Sequence, residues 1–386
     1  MIRIIAFVIV FFPLLGFSQS TLDSATNITI TKVWSQQPAG YTYPISVYVP
    51  NGPVPPDGFP VCILLHGNGS QNPNPIGPSM IFQFKNTLPC HILVAPTGYQ
   101  NSWNICAENS NAPDVEMIHD LVNLLQSYTN VNPAQIRILG TSNGAGLANR
   151  VYIENTNLGI DIVCAVVSHL NESQYHSGNF YQPSGSTDSA SPFCGYDVVA
   201  GPLNTRKYLS ISNINDSLIP YLGGISNVGV TFLPAETAAH IIAMQKGYTG
   251  GLLTSGNTIG NPAITEFSYL SGEVVHIKGN AAHTANATQK SYITDYFDDC
   301  NFALGISKAT SFEFGVYPNP SAGLFELEVN TVFLGQNYSV FDPSGKALLT
   351  GKIQSLITKL DLSQLAGGTY FLRVGANGKQ VLKVIK

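Results

Sequence analysis

Residues 136–146 read IRILGTSNGAG. Ile136–Leu139 form a short apolar run of the kind that makes a buried strand. Gly140-Thr141-Ser142-Asn143-Gly144 then fits G-x-S-x-G, and the residues that follow suit a helix. A strand, a glycine-flanked serine and a helix together predict a sharp turn that lifts the serine above a sheet. Bulkier residues at the glycine positions would collide where strand and helix converge. Ser142 is therefore the candidate nucleophile. The backbone N–H of Asn143 lies beside it as a candidate oxyanion donor.

A serine hydroxyl needs a base, and the base needs an orienting acid. Where this turn occurs, the chain order is serine, acid, histidine. His240, His276 and His283 follow a suitable acid. His240 lies in a helical pattern and His276 in a strand pattern, where a satisfied structural role is the simpler account. His283 lies in GNAAHTANA, a small-residue loop just after the last expected strand, and is the candidate base. Asp216 lies in ISNINDSLIPY directly after a strand and is the candidate acid. Glu236 opens a helix, where its charge suits the first turn. VCILLHGNG at 61–69 places a Gly-rich turn after an early strand. It offers the N–H of Asn68 as the second oxyanion donor, with His66 supporting the turn. Trp103, on a loop after Ile92–Ala95, is a candidate wall of the substrate site. The segment 171–206, rich in Ser, Gly, Tyr and Pro, is a long loop that could shape the same cleft or be a surface insertion.

Outward from these motifs, strands are expected at Ile45–Val49, Val61–Leu65, Ile92–Ala95, Ile162–Val167, Tyr208–Ile211, Phe267–Leu270 and Val274–Ile277. Helices are expected around Val115–Leu125, Ala235–Gly247 and Gln289–Phe297. Alternating strands and helices predict an α/β fold with a doubly wound, mainly parallel sheet. After a linker at 301–312 the pattern changes. Leu324–Asn330, Tyr338–Phe341, Thr369–Val374 and Val381–Ile385 predict a small all-β sandwich over 313–386.

The 386 residues carry 18 Lys+Arg against 23 Asp+Glu, a net charge of −5, and only 11% charged residues. That excludes the basic footprint of a nucleic-acid binder. With 44% hydrophobic residues, it also excludes a disordered chain. Residues 1–18 pair Arg3 with an apolar run from Ile4 to Leu15 and small residues before Gln19. This is the pattern of a signal peptide, and the run is short of the roughly 20 residues a spanning helix needs. The exported chain from 19 onward is expected to be soluble, with no membrane span. The six cysteines are widely spaced, with no C-x-x-C, so no metal site is expected. One to three disulfides are expected, involving Cys106, Cys194 or Cys300. Cys62 and Cys164, inside apolar runs, suit buried thiols.

Two resemblances follow from these residues. With LHG at Leu65–Gly67, TSNGAG at Thr141–Gly146, DSLIPYLGG at Asp216–Gly224 and NAAHT at Asn280–Thr284, the region of about 40–300, within an expected catalytic domain at 19–300, resembles the polyhydroxybutyrate depolymerase and feruloyl esterase group of α/β-hydrolases. The resemblance implies a cofactor-free serine esterase with the triad Ser142, Asp216 and His283. Its implied substrate is a polyester such as a polyhydroxyalkanoate. A feruloyl or acetyl ester of plant cell-wall polysaccharide is the alternative, with a peptidase or a non-catalytic surface binder as rivals. Asn68 stands where the depolymerases often carry Cys, and Ala285 where they often carry Trp. Both departures bear on the substrate rather than on the mechanism. With VYPNPSAGLFEL at Val316–Leu327, DLSQLAGGTYFLRV at Asp361–Val374 and the basic end KVIK, residues 313–386 resemble the sorting domain of the type IX secretion system. That implies the type IX machinery as a partner, and a secreted or cell-surface protein.

Overall fold

The computed structural model describes residues 20–69, 72, 74–297, 314–329, 333–375 and 381–386. The expected signal peptide at 1–18, the linker at 301–312 and Cys300 lie outside these residues. The chain forms two compact units, residues 1–302 and 303–386.

The first unit is built on a nine-stranded sheet. Its strands are β1 (Ile45–Tyr48), β2 (Phe59–Leu65), β3 (Ile92–Pro96), β4 (Val131–Thr141) and β5 (Ile160–Val166), followed by β6 (Lys207–Asn213), β7 (Asn257–Ile259), β8 (Ile264–Tyr269) and β9 (Val274–Gly279). In space they run β1-β3-β2-β4-β5-β6-β9-β8-β7. Strands β3, β2, β4, β5, β6 and β9 are mutually parallel. Antiparallel neighbours close both edges, β1 at one and β8 with β7 at the other.

Strand period and burial explain the layers. Along β2, Val61, Ile63 and Leu65 enter one core while Cys62 and Leu64 enter the other. Successive side chains of a strand point to opposite faces, so an all-apolar strand must be covered on both. Helices α2 (Asp114–Leu125), α3 (Asn143–Glu154) and α4 (Ala235–Gln245) supply the first cover, through residues such as Leu121, Leu147 and Ile242. Helices α1 (Gly77–Phe84) and α5 (Ala287–Phe297) supply the second, through Met80, Phe84, Ile293 and Phe297. The doubly wound α/β sheet expected from the sequence is what forms.

Some elements lie beyond the sequence expectations. α1 is short, and its GPSMIFQF stretch carries too few turns for a helical period to stand out. The segment 171–206 is not one long loop. Tyr175–His176, Asn179–Pro183 and Tyr196–Ala200 pair into a small antiparallel sheet. Cys194 and Tyr196 from it join Cys106, Ile219, Val230 and Phe232 in a separate small core.

Among the described residues of the second unit, seven strands form two antiparallel sheets. One contains Phe314–Tyr317, Leu324–Val329 and Ile357–Asp361. The other contains Ala347–Lys352, Asn337–Phe341, Thr369–Val374 and Val381–Ile385. Phe325, Leu327 and Leu360 from the first share one core with Val340, Leu372 and Val384 from the second. Two sheets facing across one core make a sandwich.

Cys106 and Cys194 form a disulfide across 88 residues of sequence, and Cys90 is also disulfide-bonded. Cys62 and Cys164 are free and buried, with both thiols pushed well up by loss of solvation. Closing a long loop narrows the unfolded ensemble. Replacing Cys106 with Ser is therefore expected to lower the unfolding free energy by about 2–4 kcal/mol, measured by denaturant titration without reductant.

Candidate active site

The site begins where β4 hands over to α3. Ser142 sits at that junction with φ 56° and ψ −121°, a left-handed conformation that a non-glycine residue adopts at a cost of about 1–3 kcal/mol. Its neighbours hold it there. The Ser142 N–H donates to Val166 O at 2.8 Å, and Ser142 O accepts from Ala145 and Gly146 at 2.9 and 3.1 Å. The two flanking glycines are required by close approach. A Cβ on Gly140 would lie 2.0 Å from Gly144 O, and one on Gly144 would lie 2.2 Å from Leu65 O.

His283 and Asp216 reach Ser142 from two other strand ends. Ser142 Oγ and His283 Nε2 are 2.7 Å apart, and His283 Nδ1 lies 2.7 Å from Asp216 Oδ2. The other Asp216 oxygen accepts the N–H groups of Leu218 and Ile219 at 2.9 and 3.1 Å. Burial pushes the Asp216 carboxyl up, but the bonds from His283, Ile219 and Leu218 outweigh it and hold the group below its ordinary range. The Asp216 side chain is 2% exposed and that of His283 18%, so the acid is covered while the histidine edge stays open to a reactant. The structure thus brings together the three residues singled out in the sequence, with His283 as the middle member of the relay.

A residue that sequence reasoning missed holds His283. Asn213, buried at the end of β6, donates from Nδ2 to Ala282 O and Thr284 O, the carbonyls on either side of His283. Gln289 from α5 donates in turn to Asn213 Oδ1 at 2.8 Å. Asn213 stands three residues before Asp216, but nothing in its local pattern marks it, because its partners are about 70 residues away.

The turn after β2 faces Ser142. A Cβ on Gly67 would lie 3.3 Å from Ser142 Cβ, so the backbone of this turn packs directly on the serine. Asn68, exposed, is the next residue. His66 is fully buried below it. Its Nε2 accepts the Gly98 N–H at 3.0 Å, which leaves Nδ1 as the donor to Gly67 O at 2.6 Å. Burial lowers His66 to about 4, against a smaller opposing effect of the Gly67 bond, so it is neutral at pH 7.

Trp103 requires a correction. It was expected to wall the substrate site, but it is 0% exposed. Its indole N–H donates to His66 O at 2.8 Å and its ring lies tilted against the His66 ring, centroids 4.6 Å apart. A buried indole must satisfy its N–H, and here it does so on the turn that carries Asn68. Trp103 supports that turn from beneath.

The histidines set aside in the sequence are satisfied elsewhere. His276 bonds Tyr221 Oη and Ser210 Oγ within the sheet, and His240 bonds Gly250 O. Glu236 accepts from Tyr221 Oη and Lys278 Nζ. Among the described residues, no group of three His, Cys, Asp or Glu could hold a metal ion. No helix among them is long and apolar enough to cross a membrane.

A parallel sheet with the serine on a strained strand-to-helix turn, and its partners in the order Ser142, Asp216, His283, is the α/β-hydrolase fold. Residues 315–386 match the family described as the secretion system C-terminal sorting domain. Curated protein sequences include no match to the chain. Similar solved structures include a carboxylesterase from Bacillus cereus, 9% identical, covering 66% of this chain and 93% of its own at a TM-score of 0.40. An acetyl xylan esterase from Aspergillus awamori is 13% identical over 65% of this chain and 93% of its own, TM-score 0.41. A poly(3-hydroxybutyrate) depolymerase from Bordetella parapertussis is 13% identical over 69% of this chain and 86% of its own, TM-score 0.41.

The His66 geometry sets a pH dependence. Its folded value of about 4 lies below the roughly 6.5 of an exposed imidazole, so unfolding takes up a proton between the two. The stability that depends on neutral His66 is complete above about pH 6.5 and is lost as pH falls toward 4. His66→Gln, which keeps an acceptor for Gly98, is expected to lose less stability between pH 7 and 4.5 than the parent, measured by urea unfolding.

Proposed function

We propose that the chain is a secreted serine esterase that hydrolyses carboxylic esters through an acyl-enzyme, with a polyester of the polyhydroxyalkanoate type as its substrate. The observation that carries this reading is the relay Ser142–His283–Asp216, with both of its hydrogen bonds at 2.7 Å. Ser142 Oγ attacks the ester carbonyl carbon as His283 Nε2 takes its proton. The negative charge that develops on the carbonyl oxygen is held by the N–H groups of Asn143 and Asn68. Collapse of the tetrahedral intermediate breaks the bond to the alcohol, which leaves with the proton from His283. Water then repeats the sequence on the acyl-enzyme and releases the acid. Asp216 stays ionised throughout and stabilises the imidazolium, in keeping with its lowered carboxyl. No step calls on a metal or an organic cofactor.

The route out of the cell is part of the proposal. The signal-peptide pattern at 1–18 provides export, and the sorting-domain match at 315–386 supports a second crossing through the type IX machinery. The low content of charged residues suits work beside an uncharged polymer.

The test is release of soluble 3-hydroxybutyrate from an amorphous polyhydroxybutyrate film, with nitrophenyl butyrate hydrolysis as the check on active protein. Both activities are expected, and Ser142→Ala is expected to lower the small-ester kcat by about 10⁴–10⁶-fold with an unchanged unfolding midpoint. Retained turnover in that variant would sink the triad assignment. Small-ester turnover without polymer release would transfer the substrate to cell-wall feruloyl or acetyl esters, with Asn68 and Ala285 as the deciding departures.

A further inference from the structure

We propose that Glu108 is a positioning residue that fixes the two oxyanion donors relative to each other. The inference rests on the esterase reading above, since it concerns the donors that reading assigns.

Glu108 is half-buried and meets three N–H donors on two segments. Its Oε1 accepts from Asn143 Nδ2 at 2.9 Å. Its Oε2 accepts the backbone N–H groups of Ile105 and Cys106 at 3.0 and 2.6 Å. Asn143 is the residue whose own N–H the esterase reading assigns to the oxyanion, and its side chain is held at both ends. Asn143 Oδ1 accepts the Trp103 N–H at 2.7 Å, and Nδ2 also donates to Trp103 O at 3.1 Å. Trp103 then donates from its indole to His66 O, and His66 bonds Gly67 O. One frame therefore runs from Glu108 through Asn143, Trp103 and His66 to the turn that carries Asn68. The two donors lie about 75 residues apart in sequence and reach each other through this frame.

A carboxylate is the group this position needs. All three of its partners donate, and a carboxylate accepts on both oxygens. An amide would turn an NH₂ toward at least one of those donors. Bonds to a charged acceptor are also about twice as strong as neutral ones. Cys106 adds a covalent hold, because its disulfide to Cys194 ties the same loop to the 171–206 excursion. A frame of this kind matters to catalysis because an oxyanion hole works through fixed geometry. Small displacements of a donor weaken it where charge develops, and leave substrate binding almost untouched.

The experiment compares Glu108→Ala and Glu108→Gln with the parent in nitrophenyl ester kinetics, with Ser142→Ala as the control on the underlying reading. Glu108→Ala is expected to lower kcat about 10–100-fold with KM changed by less than about threefold. An aryl trifluoromethyl ketone, whose adduct with Ser142 carries an oxyanion, should lose affinity by the same factor as kcat/KM. The pH dependence of kcat/KM should keep its shape, because the His283 relay is untouched. Glu108→Gln should fall between the parent and the alanine variant, and it carries the test if the alanine variant does not fold. Unchanged kcat in a folded Glu108 variant overturns the proposal. So does a loss that tracks only the folded fraction, with ketone affinity per folded molecule unchanged. Turnover that survives in Ser142→Ala overturns the esterase reading instead, whatever the Glu108 variants do.

Discussion

The structure depends on one close approach of backbone to backbone. The first turn of α3 lies so near the end of β2 that a single methyl group on Gly144 would stand 2.2 Å from Leu65 O. That approach does two things at once. It forces Ser142 into a left-handed conformation at the crest of the turn, and it brings the Gly67 turn against the serine. Ser142 and the loop proposed to hold the oxyanion are thus neighbours because two strands and a helix converge there. The strain at Ser142 is offset by three backbone hydrogen bonds and by the burial of α3 against the sheet, with Ala145, Leu147, Ala148 and Val151 all fully covered.

Around that junction, two buried histidines are held neutral. His66 is held uncharged by burial, so it can accept one backbone N–H and donate to one carbonyl without repelling anything. His276 is lowered to about 3 by burial and acts as a spacer in the sheet. The carboxylates near the junction are tied closely. Asp216 has three bonds on its two oxygens, and Glu108 has three on its own. Such donors replace the water that a carboxyl group loses when it is covered.

The helices and strands that shape the sheet were legible because their signal is local. Val61–Leu65 and Ile162–Val167 are continuous apolar runs, and Val115, Ile118, Leu121 and Leu125 recur at helical spacing. The relay residues were legible for a related reason. Ser142 lies in a glycine-flanked turn, His283 in a small-residue loop and Asp216 directly after a strand, so chain order and loop position sufficed to select them. Trp103 was misread because an aromatic residue on a loop at the catalytic end looks the same in sequence whether it faces solvent or lies under a turn. The 171–206 segment was read as a loop because short antiparallel strands rich in Ser and Gly carry no clear alternation.

The chain alone carries the α/β order, the sharp turn around Ser142, the candidate relay and the change to an all-β pattern toward the C-terminal end. The elements and the turn follow from backbone sterics and from hydrophobic period, which act between residues a few positions apart, and the relay follows from chain order. The packed layers alone reveal that Asn213 brackets His283, that Trp103 braces the Asn68 turn, that Glu108 grips Asn143, and that Cys106 pairs with Cys194. Each of these joins groups 35 to 88 residues apart. A hydrogen bond or a disulfide acts only at contact distance. Which polar groups meet at that distance is set by how the layers pack, and no local pattern in the chain records it.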